Sequence, residues 1–126
     1  MKVLLSIKPE FTEKIFDGSK IYEFRRAIFK NPDVKKVVVY ASSPIQKVIG
    51  EFEIENIIHD DLQSLWDETK EFSGISKEFF FEYFGNKKKG FAIKIKKPKR
   101  YKIPMCIRQD FNLFPPQSFL YLNNVL

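Results

Sequence analysis

Histidine and cysteine are almost missing from this chain: His59 and Cys106 each occur once in 126 residues. A lone cysteine excludes an internal disulfide and points to a reducing compartment, so a cytoplasmic location is expected. With one histidine and one cysteine far apart in sequence, no zinc-ligand spacing exists, and neither a metal nor another cofactor is expected. His59 beside Asp60 and Asp61 reads as a helix-entry residue that caps or faces solvent rather than as an acid–base group. Walker loop, dinucleotide fingerprint and nucleophile-elbow serine are all absent. Long apolar runs are absent too. The stretch from Met1 to Lys8 is too short for a signal-peptide core, and nothing approaches membrane-spanning length, so no membrane association is expected.

What the chain does have is apolar residues and positive charge. Its 44% hydrophobic content suffices for one core, and residues 1–126 read as a single domain. A formal net charge of +6 favours polyanionic partners, because lysine and arginine near phosphates release condensed counterions.

Val3 to Ile7 reads as a buried strand, and Pro9 opens a helix with Phe11, Ile15 and Phe16 on its inner face. Gly18 terminates that helix in a left-handed conformation and delivers Lys20 to the mouth of a second strand. Asn31-Pro32-Asp33 is a turn, and Val37 to Tyr40 is a continuous apolar run that suits a central strand. Lys47 to Ile57 reads as a long strand in which Gly50 marks a bulge or a close approach. Asp60 with Gln63 resembles a capping box, opening a helix whose Leu62, Leu65, Trp66, Thr69 and Phe72 recur at helical spacing. Beyond Gly74, Ser76 caps a Phe-rich helix that ends at Gly85, with Phe81 nearest its polar edge. Phe81 is thus the candidate contact for a weak homodimer or a protein partner. Phe91, Ile93 and Ile95 alternate with Ala92, Lys94 and Lys96, as in a half-buried strand with a basic outer face. The tail from Phe114 to Leu122 is aromatic enough to pack back. These elements give an α+β fold of about five or six strands and about three helices.

Chemistry concentrates in Gly18-Ser19-Lys20-Ile21-Tyr22-Glu23-Phe24-Arg25-Arg26. On a strand Glu23 and Arg25 share one face while Tyr22 and Phe24 enter the core. The guanidinium groups suit phosphate, and Glu23 can accept from a base amino group or orient an arginine. Ser42 and Ser43 follow the central strand, where hydroxyls could meet phosphate or base edges or form a plain turn ahead of Pro44. Gln117 and Ser118 hold the same two options in the tail. A second, auxiliary basic surface runs through Lys94, Lys96, Lys99 and Arg100 with Tyr101 interleaved, and joins Lys87-Lys88-Lys89 in concentrating charge in the C-terminal half.

The G-x-K-x-x-E-x-R pattern from Gly18 to Arg25, after a short helix, resembles the signature of the ASCH domains of the PUA-like superfamily. The likeness extends to Leu5-Ser6-Ile7-Lys8-Pro9, to Val38 through Ser43 with Ile49-Gly50-Glu51-Phe52, and to Gly90 through Ile95. It implies a small PUA-like β-barrel flanked by helices. It also implies a cleft lined by the G-x-K-x-x-E-x-R residues and an association with RNA. Together with the residues read above, the candidate cleft comprises Lys8, Lys20, Glu23, Arg25, Arg26, Ser42, Ser43, Gln117 and Ser118, and it is expected to hold single-stranded RNA, a flipped-out nucleotide or a nucleoside without catalysis. The family offers an alternative as well, since some small bacterial members are amidohydrolases that cleave N4-acetylcytidine with a lysine, a threonine and a glutamate. Lys20 matches that lysine and would be catalytic. Glu23 stands in the threonine's place, and the region near Ser73 lacks the glutamate, so little hydrolysis of that nucleoside is expected. A protein-interaction or regulatory role for the Phe-rich helix is the third reading.

Overall fold

The computed structural model describes residues 1–122, so the last four residues of the expected domain span lie outside it. Its backbone is one six-stranded sheet in the order β2-β5-β4-β3-β1-β6. β1 (Lys2–Ile7) lies parallel to β3 (Lys36–Ala41), and every other pairing is antiparallel. β3 and β1 are buried along nearly their whole length, as continuous Val/Leu runs require. Val3, Leu5, Ile7, Val37, Val39, Phe52, Ile93 and Ile95 form the main core beneath Ile15 of α1 (Pro9–Phe16). Leu4, Val38 and Tyr40, on the opposite face, are covered by Ile107 and Phe111 of the five-residue α4 (Ile107–Phe111). That fourth helix was not expected, because five residues carry too little periodicity to register.

The sheet is not closed into a barrel, which corrects the architecture expected from sequence. Among the described residues, β2 (Tyr22–Arg25) pairs only with β5 (Lys89–Met105), and β6 (Phe119–Leu122) only with β1. Where a barrel would continue its backbone ladder, Arg25 Nη2 donates to the Ser6 carbonyl at 2.9 Å, a side-chain bridge between β2 and β1. Of the tail expected to pack back, Phe119–Leu122 does so as strand β6, whereas Phe114 is 72% exposed.

β4 (Lys47–Asp61) runs four residues further than its apolar pattern suggested. Consequently His59 is a strand residue stacked on Phe91 with ring centroids 4.0 Å apart, not a helix-entry group. The cap of α2 (Leu62–Thr69) is Asp61, whose carboxylate accepts from Ser64 N, rather than Asp60. Phe72, expected on that helix's inner stripe, falls in a following 3₁₀ turn and is 47% exposed. Gly50 fulfils both expectations made of it. The β4–β5 register shifts there, and a Cβ would lie 2.5 Å from the Lys99 carbonyl and 2.5 Å from the Phe16 ring.

α3 (Lys77–Phe84) is capped by Ser76, which accepts from Phe79 N, and ends at Gly85 with φ +57°. Phe80 and Phe84 pack with Leu65 and Trp66 over Tyr22, Phe24 and Ala92. The outer face of β5 is therefore covered at Ala92, while Lys94 stays half-exposed and Lys96 exposed, as a basic outer face requires. Phe81 is half-buried, its ring edge-on to Phe80 at 5.0 Å.

Candidate functional site

Asp17 caps the end of α1, and Gly18 at φ +86° turns the chain so that Lys20 enters just ahead of β2. Lys20 is only 2% exposed. Its Nζ donates to the Ser73 carbonyl at 2.6 Å and lies 4.9 Å from the Phe24 ring centre and 5.3 Å from that of Phe11. The lysine stem lies on Gly74, where a Cβ would come within 2.7 Å of it; with φ +70° there, glycine is required on both counts. Burial lowers the Lys20 pKa from 10.5 to about 8, with the Glu23 carboxylate opposing the shift and Lys14 adding to it.

Strand alternation sends Tyr22 and Phe24 into the aromatic core and leaves Glu23 and Arg25 on the other face, where they pair at 3.2 Å. Glu23 is buried and Arg25 nearly so, yet Arg25 Nε has no hydrogen-bond partner among the described residues. The next residue, Arg26, is exposed, and its guanidinium lies 4.8 Å from the ring centre of Tyr83. Tyr83 in turn donates its hydroxyl to the Phe24 carbonyl at 3.2 Å, and burial raises its pKa.

These groups surround a cleft of about 510 Å³ at the gap between β2 and the β1–β6 edge. Of the residues singled out from sequence, Lys8, Lys20, Glu23, Arg25, Arg26, Ser42, Gln117 and Ser118 line it. Ser43 does not; it is exposed in the turn beyond Ser42. Lys8 stands at the mouth with its ammonium 5.8 Å from the Phe79 ring centre. Sequence reasoning missed Ser6, Phe11, Phe79 and Tyr83 as lining residues. Two of them carry a legible signal, since Phe79 and Tyr83 stand four apart on α3 and so share one face.

The auxiliary basic surface lies apart from the cleft and is partly neutralised, which revises its expected character. β4 brings Glu51, Glu53 and Glu55 alongside β5. Lys94 pairs with Glu55 at 3.0 Å, Arg100 with Glu13 at 2.8 Å, and the Tyr101 hydroxyl donates to Glu51 at 2.9 Å. Lys96 and Lys99 remain exposed. Among the described residues no group of three or more His, Cys, Asp or Glu is placed to hold a metal ion, and no helix is long and apolar enough to cross a membrane.

An α+β domain built on one open sheet, with a basic cleft walled by aromatic rings where the sheet fails to close, is the class that fold and site define. The chain belongs to the ASCH domain family, whose model matches residues 5–99. It is 29% identical to the ASCH domain-containing ribonuclease of Zymomonas mobilis over 126 residues, covering 96% of this chain and 84% of that protein. The crystal structure of ASCH from Zymomonas mobilis superposes with a TM-score of 0.88 at 29% identity, covering 98% of this chain and 88% of that one. The chain is also 34% identical, over 95% of its length, to a protein named ATP synthase subunit alpha from Ureaplasma parvum, of which it spans only 15%. It spans 39% of a 29% identical protein named large ribosomal subunit protein uL22 from the same species. The N-terminal domain of McrB from Staphylothermus marinus shares the fold, with a TM-score of 0.57 at 11% identity.

Proposed function

We propose that the cleft holds an unpaired segment of RNA and that the protein cleaves it. The observation that carries this reading is a buried lysine of lowered pKa at the base of a cleft ringed by Lys8, Arg25 and Arg26 and walled by aromatic side chains. Cations meet phosphates, and aromatic faces receive bases that no longer stack in a duplex. The buried Glu23 carboxylate accepts from an exocyclic base amino group, with Arg25 holding it in place. The name of the Zymomonas relative supports RNA as the polymer and cleavage as the reaction.

Cleavage follows from the same groups. The 2′-hydroxyl oxygen attacks the adjacent phosphorus and the P–O5′ bond breaks, leaving a cyclic phosphate on one fragment. The hydroxyl proton passes to neutral Lys20, and the departing 5′-oxygen takes a proton from water. With a pKa of about 8, about one Lys20 in ten is neutral at pH 7. Arg25 and Arg26 stabilise the charge that builds on the phosphorane oxygens. A cytoplasmic site of action goes with this reading, since RNA is the substrate and Cys106 the lone thiol.

The test is incubation with end-labelled single-stranded RNA, its duplex, and a 2′-deoxy copy. Only the single-stranded RNA is expected to be cut, and Lys20→Met is expected to abolish the cutting. Binding without cleavage would overturn the catalytic half and leave a binding module. Release of cytidine from N4-acetylcytidine, lost in the same variant, would make amide hydrolysis the activity instead.

A further inference from the structure

A second, smaller hollow of about 330 Å³ adjoins the cleft and shares Arg26 and Tyr83 with it. It lies at the end of α3, where Gly85 at φ +57° turns the chain and sets Asn86 and Lys87 on its rim. Lys87 opens the run Lys87-Lys88-Lys89, all of it exposed. We propose that this hollow is a second nucleotide subsite, in which the RNA strand leaves the cleft across the Arg26–Tyr83 pair and places its next phosphate between Arg26 and Lys87. The inference rests on the RNA reading of the cleft and adds to it the path the bound strand takes beyond the cleft.

Three features of the hollow fit a nucleotide. The Arg26 guanidinium lies over the Tyr83 ring, 4.8 Å from its centre, and both residues line both hollows, so cation and ring together offer an unpaired base a surface where the hollows meet. Arg26 and Lys87 outnumber Glu82 among the charged groups lining the hollow, so its net sign suits a phosphate. The last turn of α3 presents carbonyl oxygens, which alone would repel a phosphate but accept from a 2′-hydroxyl or a base amino group. Donors and acceptors thus meet different parts of one nucleotide. Phe79 and Tyr83 continue the same helix face back into the cleft, each with a cation over its ring, so α3 forms one wall of both hollows.

The experiment compares binding of a 5′-labelled cytidine mononucleotide and a single-stranded hexanucleotide, the latter carrying 2′-O-methyl groups so that it is not cut. Lys87→Glu is expected to weaken the hexanucleotide by about five- to tenfold more than the mononucleotide. It should also flatten the hexanucleotide's log–log salt dependence by about 0.7. Lys99→Glu makes the same charge change on β5 and should do neither. Equal losses from Lys87→Glu and Lys99→Glu, or no difference between the two ligands, would overturn the subsite while leaving the cleft intact. Failure of the unaltered protein to bind the hexanucleotide at low salt would overturn the RNA reading itself, and the subsite with it.

Discussion

Lys20 is a cation that the fold buries at a cost. Its pKa is about 8 in the folded chain against 10.5 when solvated, so below pH 8 both states carry the proton and the folded state bears the full penalty. Between those values the unfolded state binds more protons, and stability rises with pH. Relative to Lys20→Met, the native chain should gain about 3 kcal/mol between pH 8 and pH 10.5, read as the difference in urea unfolding free energy. A flat difference would mean that Lys20 titrates normally and has no special readiness to take a proton. Cleavage should likewise rise with pH and level off near 8. The sequence alone leaves the direction of this shift open, because burial and the cations Arg25 and Arg26 favour the neutral form while Glu23 favours the charged one. Burial decides it, and burial depends on Gly74 and Ser73, more than fifty residues away in the chain.

At the scale of elements, Gly50 is where β4 lies tight against both β5 and α1. Gly50→Val should destabilise the protein by about 3 kcal/mol or more, since its Cβ meets the Lys99 backbone as well as a side chain and cannot be relieved by a rotamer change. Chemical denaturation measures it; a loss under about 1 kcal/mol would mean that the β4–β5 bulge can yield. α3 gives a second test. Phe81 keeps part of its ring exposed while packing on Phe80, so a weak dimer through it should separate in Phe81→Glu by sedimentation, whereas a native chain that is monomeric throughout would dismiss that surface. Most elements were legible because each has its own punctuation: Pro9 and Gly18 around α1, Ser76 and Gly85 around α3, unbroken valines in β3. The end of β4 was not, because Ile58-His59-Asp60-Asp61 carries helix-entry residues on a strand. There pairing with Lys89 to Ala92 outweighs local preference.

For the molecule as a whole, strand number could be read from the sequence and closure could not. Closure depends on whether β2 meets β1 or β6. Here Arg25 reaches Ser6 by side chain instead, which leaves the gap that becomes the cleft. The candidate residues gathered there were legible as a motif, and the aromatic wall was half-legible in the spacing of Phe79 and Tyr83. The neutralising partners of the basic strand were hidden by pairing, since Glu51, Glu53 and Glu55 lie more than thirty residues before the lysines they face. On the proposed reading, RNA meets the cations of the cleft more than those of β5, where Lys94 and Arg100 are already paired. The most direct measurement of that claim is the affinity of single-stranded RNA for Arg25→Ala and Lys99→Ala at low salt. Arg25→Ala should lose about tenfold or more and Lys99→Ala less than about twofold, since the first removes a desolvated charged contact and the second an exposed one. Equal losses in the two variants, or no RNA binding by the native chain, would contradict the assignment of the cleft as an RNA site.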